Sequence, residues 1–282
     1  MYLHSSNFID LGDMEMHVTE WGVSANPALV LWHGLARTGR DFDELAHVLS
    51  QQYFVLCPDT IGRGLSSWAI NPALDYTLAS YERHALAMLD AYGITNCHWL
   101  GTSLGGLIGM SIASGTHAQR LSSLIINDIG PELPTTAIER IVNYVGAMPI
   151  FSTVLKAEHW LREVYAPFGP ASDNFWRRMA QTSVRRMDNG TLTLHYDPAI
   201  VGPYYAPVSS FDSWQSYASI NLPTHLLRGE KSDLLTIDIV KRMMVTGPRP
   251  GLTQFAYCGH APSLSNKADI ASVKAVLDTM AK

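Results

Sequence analysis

Near the start of the chain, apolar residues occupy every second position from Met14 to Val18, and polar residues lie between them. Strict alternation of this kind predicts a β-strand with one buried face. The turn residues Gly12-Asp13 precede this segment, and another apolar stretch, Phe8 to Leu11, precedes the turn. Together these features predict an antiparallel hairpin at the start of the fold.

Farther along, the pattern changes to short, nearly continuous apolar runs, which are typical of strands buried on both faces of a parallel sheet. Between several runs, apolar residues recur with the period of an α-helix, as from Leu78 to Tyr92 and from Ile270 to Met280. Alternation of strands and helices predicts a doubly wound α/β sheet. The six runs are 29–32, 53–57, 97–100, 124–126, 225–227 and 253–257.

This alternation stops between about Gly130 and Trp214. The stretch opens with Gly130-Pro131, has helical patterns near 138–145 and 153–164, and is rich in aromatic residues. We interpret residues 131–214 as a helical cap, or lid, inserted into a core domain that comprises residues 1–130 and 215–282. The alternative is a second structural subdomain that has no functional surface.

Composition narrows the class of protein. Of the 282 residues, 47% are hydrophobic and 16% are charged, as expected of a chain that buries a large core. The net charge is -5 and no basic stripe is present, so nucleic acid is not expected as a partner. The three cysteines lie in or beside apolar runs and do not suggest a disulfide framework. Neither a signal peptide nor a long apolar span is recognisable, so we expect a cytoplasmic protein without a membrane partner.

The segment Gly101-Thr102-Ser103-Leu104-Gly105 follows one of the apolar runs and precedes small and apolar residues suited to a helix. In a nucleophile elbow, the serine occupies a strained turn between strand and helix, and glycines two residues away on either side remove side chains that would collide. Gly101 and Gly105 occupy those positions. The pattern therefore predicts Ser103 as a catalytic nucleophile.

A serine hydroxyl must lose its proton to a base, normally a histidine that a carboxylate orients. His260 lies just after the last apolar run and before the final helical pattern. Asp233 follows the fifth run and Asp128 follows the fourth, and both agree with the order of nucleophile, acid and histidine that an elbow of this type requires. We favour Asp233 as the acid, with Asp128 as the alternative and Glu230 as a more distant one.

The intermediate of acyl transfer needs backbone N–H groups directed at its oxyanion. The residue after the nucleophile, Leu104, supplies one donor in this kind of site, and the loop after an earlier strand supplies the other. Here that loop contains His33-Gly34, and we expect Leu35 to provide the second donor. The alternative is that His33-Gly34 is a simple turn at the end of a strand.

The sequence predicts neither a metal nor a cofactor. His33, His260 and Asp233 are possible ligands, but neither His-Glu-x-x-His nor paired cysteines occur. The glycines from Gly101 to Gly106 are not followed by the Lys-Ser/Thr of a phosphate loop, and Gly-x-Gly-x-x-Gly is absent.

These motifs, with the loop from Asp59 to Ser66, stand in the order found in the α/β-hydrolase superfamily. The chain most resembles the bacterial branch that includes carboxylesterases, enol-lactonases and meta-cleavage product C–C hydrolases. This resemblance implies a mostly parallel eight-stranded sheet, flanked by helices, with an inserted cap. Ser103 stands where dehalogenases and epoxide hydrolases have aspartate and dienelactone hydrolases have cysteine, which disfavours those groups. The phrase from Asn127 to Pro131 is also associated with this branch and keeps Asp128 open as the acid.

The expected activity is therefore hydrolysis of a small, largely apolar ester or lactone through an acyl-enzyme. The aromatic cap suggests that Trp160, Tyr204 and Tyr205 contact this small-molecule substrate. We expect a monomer or a homodimer.

Two other functions remain open. A C–C bond hydrolase would need a cation for a substrate carboxylate, and Arg37, Arg40 or Arg63 could serve. A ligand receptor that retains the three residues but signals by binding is the alternative outside the enzymes.

Overall fold

The computed structural model describes residues 4–205 and 212–280. Within these residues it contains ten strands, of which eight form one sheet and two form a separate small sheet. The strands are β1 (Ser5–Asp10), β2 (Glu15–Trp21), β3 (Ala28–Trp32), β4 (Phe54–Pro58), β5 (Cys97–Thr102), β6 (Leu121–Asn127), β7 (Val184–Arg186), β8 (Leu192–Leu194), β9 (Thr224–Gly229) and β10 (Gly251–Phe255).

The large sheet has the strand order β1-β2-β4-β3-β5-β6-β9-β10. The hairpin of β1 and β2 is antiparallel, β2 is antiparallel to β4, and every other neighbouring pair is parallel. The predicted hairpin and the mostly parallel sheet are both confirmed, and each of the six apolar runs overlaps a strand.

Helices cover both faces of this sheet. They are α1 (Asp43–Leu49), α2 (Pro72–Asp75), α3 (Leu78–Ala91), α4 (Leu104–Ser114), α5 (Thr135–Val145), α6 (Val154–Val164), α7 (Asp173–Ser183), α8 (Trp214–Ser219), α9 (Ile237–Met243) and α10 (Lys267–Met280). Along β3, Leu29 and Leu31 pack in one apolar cluster with α1 and α10, whereas Val30 and Trp32 pack in another with α3 and α4. Burial on both faces explains why the run shows no alternation.

The first hairpin differs from its pattern in one respect. Alternation predicted that His17 and Thr19 would face solvent, but both side chains are buried together with Met16 and Val18. The cause is a polar partner: His17 Nδ1 lies 2.9 Å from the buried Asp59 carboxylate, which follows β4. A polar residue that finds a hydrogen bond inside the protein can occupy an interior position.

The chain between β6 and α8 contains α5, α6 and α7 together with the two-stranded sheet of β7 and β8. The stretch was predicted to be helical, and the two short strands depart from that prediction. Its two ends meet, since the backbone N–H of Ser213 donates to the carbonyl of Pro131 at 2.8 Å. Adjacent ends are what an insertion requires, while the division into core and cap at residues 130 and 214 remains a prediction. In the described ranges, none of the helices has the length and apolar character needed to cross a membrane.

Two glycines allow α4 to lie directly against the sheet. A Cβ on Gly101 would come within 2.1 Å of the Gly105 backbone carbonyl, and a Cβ on Gly105 would come within 2.2 Å of the Trp32 carbonyl oxygen. Neither neighbour is a flexible side chain that could move aside. The junction between β5 and α4 therefore requires glycine at both positions.

We expect Gly105→Ala to lower the free energy of unfolding by at least about 2 kcal/mol, because the new methyl group collides with the backbone of β3. Urea denaturation measures this change. Gly202→Ala is the matched control, since a Cβ there meets nothing within 4 Å, and its effect should stay within about 0.5 kcal/mol. Equal effects of the two substitutions would contradict this account of the packing.

Candidate active site

Ser103 lies at the junction between β5 and α4, in a backbone conformation with φ 52° and ψ -114°. A positive φ is unusual for a residue with a side chain and costs about 1–3 kcal/mol. The surrounding backbone holds the turn, since the Ser103 N–H donates to the Asn127 carbonyl at 2.9 Å and the Ser103 carbonyl accepts from the N–H of Gly106 at 2.8 Å. This turn presents the serine side chain at the carboxyl end of the sheet.

His260 connects Ser103 to a buried carboxylate. Its Nδ1 lies 2.9 Å from Asp128 Oδ2, and its Nε2 lies 3.1 Å from Ser103 Oγ. Because a carboxylate only accepts hydrogen bonds, Nδ1 carries the proton and the Nε2 of a neutral ring accepts from the serine hydroxyl. The three side chains therefore form a continuous hydrogen-bonded chain.

Asp128 lies directly after β6, is completely buried, and also has a positive φ, of 60°. Its Oδ1 accepts the Gly229 N–H at 2.8 Å, and its Oδ2 accepts the Ser232 hydroxyl at 2.6 Å in addition to the His260 ring. A buried carboxylate needs such donors, because its transfer out of water is otherwise very costly.

The structure contradicts the preference for Asp233 as the partner of His260. The Asp233 side chain is 48% exposed, and its carboxylate is bound by the Arg140 guanidinium of α5 at 2.7 and 2.8 Å. In the loop that follows β9, Ser232 faces inward and Asp233 faces outward. Glu230, the more distant alternative, is also exposed.

Asn127 is a site residue that sequence reasoning did not identify. Its side-chain Nδ2 donates to Thr102 Oγ1 at 2.9 Å and to the Pro262 carbonyl at 3.0 Å. Thr102 precedes the serine, and Pro262 lies two residues after the histidine, so one buried amide joins the two loops. The sequence feature that could have identified Asn127 is its position directly before Asp128, a candidate acid.

The loop after β3 is held by the ring of His33. Nδ1 donates to the Gly34 carbonyl at 2.7 Å, and Nε2 accepts the Thr60 N–H at 2.9 Å. In a trans peptide the carbonyl and the following N–H point in opposite directions. A position for a Cβ on Gly34 lies 3.6 Å from Ser103 Cβ, so the Leu35 N–H belongs to a peptide that is held close to the serine. At the other side, the Leu104 N–H begins α4, where backbone donors lack helical partners.

Burial lowers the pKa of His33 to about 4. Protonation would place a second N–H donor against the Thr60 N–H, so the folded protein holds this ring neutral.

A cavity borders Ser103 and His260, and apolar and aromatic side chains form most of its wall. Of the predicted substrate contacts, Tyr204 lines this cavity. Trp160 packs against Phe151 instead, and Tyr205 is 70% exposed. The segment 131–214 supplies eight residues to the wall: Leu133, Ile138, Ile141, Tyr144, Tyr165, Phe168, Phe175 and Tyr204.

The three arginines considered as partners for a substrate carboxylate occupy different places. Arg37 lines the cavity, but its guanidinium is bound to Asp41. Arg40 is paired with Asp43, and Arg63 donates to the Leu35 carbonyl at 2.8 Å. Among the described residues, no group of three or more His, Cys, Asp or Glu side chains is arranged to hold a metal ion.

A model of the alpha/beta hydrolase family matches residues 29–273 of the chain. The chain belongs to the α/β hydrolase family. The resemblance inferred from its motifs is thereby confirmed, as is the fold that this resemblance implied.

Individual relatives agree with this assignment. The 3-hydroxybutyrate-oligomer hydrolase of Cupriavidus necator is 36% identical to this α/β hydrolase over 89% of each protein. A putative hydrolase from Rickettsia typhi has a TM-score of 0.89 at 28% identity and covers 98% of this chain and 99% of its own. An alpha/beta hydrolase from Novosphingobium aromaticivorans has a TM-score of 0.87 at 32% identity and covers 99% of both chains. Family and relatives together assign the chain to the hydrolases.

The lowered pKa of His33 predicts an acid-dependent loss of stability. Between about pH 6.5 and about pH 4 the unfolded chain protonates this ring and the folded chain does not, so the free energy of unfolding falls as the pH falls. The contribution of one such group is at most about 1.4 kcal/mol per pH unit. The variant His33→Asn retains a side-chain N–H that can donate to the Gly34 carbonyl, and its side chain does not titrate in this pH range. Urea titrations across this range should show a shallower fall for the variant, and equal slopes would contradict the assignment.

Proposed function

We propose that this α/β hydrolase is a serine hydrolase that cleaves a small, largely apolar ester or lactone through an acyl-enzyme intermediate. The observation that carries the proposal is the hydrogen-bonded chain from Ser103 Oγ through His260 to Asp128, which lies at a cavity. Such an arrangement is recognised by geometry and by the role of each group.

In the first step, Ser103 Oγ attacks the substrate carbonyl carbon while His260 Nε2 accepts the hydroxyl proton. The resulting imidazolium is stabilised by Asp128, whose remaining contacts hold the carboxylate in place. His260 then donates the proton to the departing alkoxide, which leaves as an alcohol. A lactone gives the same acyl-enzyme, with the alcohol still attached.

The negative charge that develops on the carbonyl oxygen needs donors that are already oriented. We assign this role to the backbone N–H groups of Leu35 and Leu104. The support is that His33 fixes the Gly34–Leu35 peptide from its carbonyl side, and that Leu104 is the first residue of α4. Water activated by His260 then attacks the acyl-enzyme and releases the acid.

The segment 131–214 is proposed to act as the cap over this site. Its side chains form one wall of the cavity, and they are mostly apolar and aromatic, including Tyr144, Tyr165 and Phe175. An apolar wall favours an apolar acyl or alcohol group. Because a relative at 36% identity is a 3-hydroxybutyrate-oligomer hydrolase, short oligoesters of hydroxy acids belong among the substrates to be tested.

A C–C bond hydrolase is less well supported. Its substrate carboxylate would need an available cation, and the one candidate arginine that lines the cavity within the described residues, Arg37, is already neutralised by Asp41. The other two, Arg40 and Arg63, do not line it.

Ser103→Ala tests the nucleophile. The wild-type protein should hydrolyse p-nitrophenyl acetate and butyrate, and the variant should lose activity by a factor on the order of 10⁴ or more, because no other group can form the acyl-enzyme. Undiminished turnover in the variant would overturn the proposal. Absence of turnover in both proteins, together with a ligand-dependent rise in melting temperature, would favour the receptor alternative.

Paired substitutions separate the two candidate acids. Asp128→Asn should lower kcat by about 10⁴-fold, because the neutral amide no longer orients and stabilises the histidine ring. Asp233→Asn serves as the matched control, since it removes only a half-exposed ion pair with Arg140 that contributes about 0–1 kcal/mol, and kcat should stay within a few-fold of wild type. The reverse result would restore Asp233 as the acid.

A further inference from the structure

One ion pair interrupts the apolar wall of the cavity. Arg37 Nε and Nη2 donate to the two carboxylate oxygens of Asp41 at 2.8 and 2.6 Å. The guanidinium carbon also lies 4.9 Å from the centroid of the Tyr165 ring. Arg37 and Asp41 both line the cavity, and they are the charged side chains that do so within residues 4–205 and 212–280.

The pair is largely withdrawn from solvent, with exposures of 5% for the Arg37 side chain and 13% for Asp41. Burial alone would lower the pKa of Arg37, but the charge and hydrogen bonds of Asp41 raise it above its ordinary value, so the group stays cationic. A buried ion pair is commonly no more stabilising than apolar side chains of the same volume. Its presence in an apolar cavity therefore calls for a reason other than stability.

The pair lies close to the serine. The position of a Cβ on Gly34 is 3.6 Å from Ser103 Cβ and 4.0 Å from Arg37 Cγ, which places these two atoms within about 8 Å of each other. A guanidinium at the end of that side chain can reach a substrate atom a few bonds from the carbonyl that Ser103 attacks.

The chemistry of the pair indicates what it can recognise. Asp41 accepts from two of the five N–H groups of the Arg37 guanidinium, one on Nε and one on Nη2, so three N–H groups remain for other acceptors. The Tyr165 side chain is one such hydrogen-bond partner. The carboxylate of Asp41 retains lone pairs. One site therefore offers both a donor and an acceptor, which suits a hydroxyl. A second carboxylate would be repelled by Asp41 in a cavity of low dielectric.

We infer that Arg37 and Asp41 bind a neutral oxygen of the substrate, so that the preferred ester carries a hydroxyl within a few bonds of the scissile carbonyl. This inference rests on the proposed function and adds a substrate class to it. The pair is a specificity determinant and takes no part in the transfer of protons or of the acyl group.

Two matched pairs of esters test the inference. Methyl 3-hydroxybutanoate is compared with methyl butanoate, and 2-hydroxyethyl butanoate with propyl butanoate, with hydrolysis followed by acid release. In at least one pair, kcat/KM should be about 10- to 100-fold higher for the hydroxylated ester, the range expected of a hydrogen bond to a charged group. The ratio of the two kcat/KM values is measured within one protein. A substitution that changes folding or the chemical step equally for both esters therefore leaves this ratio unchanged.

The double variant Arg37→Met/Asp41→Asn should bring this ratio close to one. The matched control is Arg40→Met, because Arg40 forms the same kind of ion pair with Asp43 three residues away but does not line the cavity, and it should keep the wild-type ratio. No preference in wild type, or a preference that the double variant retains, would overturn the inference.

The single variant Asp41→Asn gives a second test that does not depend on the double variant folding. It leaves the Arg37 charge unopposed, so kcat/KM for the anionic monomethyl succinate should rise relative to methyl butanoate. An unchanged ratio would count against the inference. Failure of the proposed function is distinguishable, since it would appear as no Ser103-dependent hydrolysis of any of these esters.

Discussion

The arrangement of the site depends on the hydrogen bonds that the buried carboxylate of Asp128 accepts. It follows β6, and its three donors come from the Gly229 backbone, the Ser232 hydroxyl and His260. Gly229 ends β9, Ser232 lies in the next loop, and His260 follows β10. The loops after three neighbouring strands therefore converge on one acceptor. Because an unsatisfied carboxylate would be very costly there, the demand for donors fixes the loops and, through them, the histidine.

Close packing of backbone fixes the serine in a comparable way. Gly101 and Gly105 bring β5, α4 and β3 closer together than side chains would permit, and the turn between them forces a positive φ on Ser103. Asn127 joins this turn to the loop that contains His260. The strained backbone turn at Ser103 is thus supported by the sheet itself, which fixes where the serine stands relative to His260. Such preorganisation is what the proposed acyl transfer requires.

Sequence reasoning predicted the sheet, the serine and the histidine, because each depends on a local pattern: continuous apolar runs, glycines around a serine, and a histidine after the last run. It preferred the wrong partner for that histidine, since an aspartate follows both β6 and β9 and spacing does not reveal which way a loop side chain points. In the second loop the inward residue is Ser232, one position before Asp233. Likewise, aromatic composition predicted an apolar wall but did not distinguish Tyr204, which lines it, from Trp160, which packs on Phe151.

We propose that Ser103, activated through His260 and Asp128, forms a covalent intermediate whose oxyanion is bound by two backbone amides. A crystal structure of the protein after reaction with an alkyl phosphonate ester tests this most directly, because the adduct resembles the tetrahedral intermediate. We expect a bond from phosphorus to Ser103 Oγ, with the phosphoryl oxygen hydrogen-bonded to the N–H groups of Leu35 and Leu104. An adduct on another residue, or a phosphoryl oxygen that contacts neither amide, would contradict this proposal.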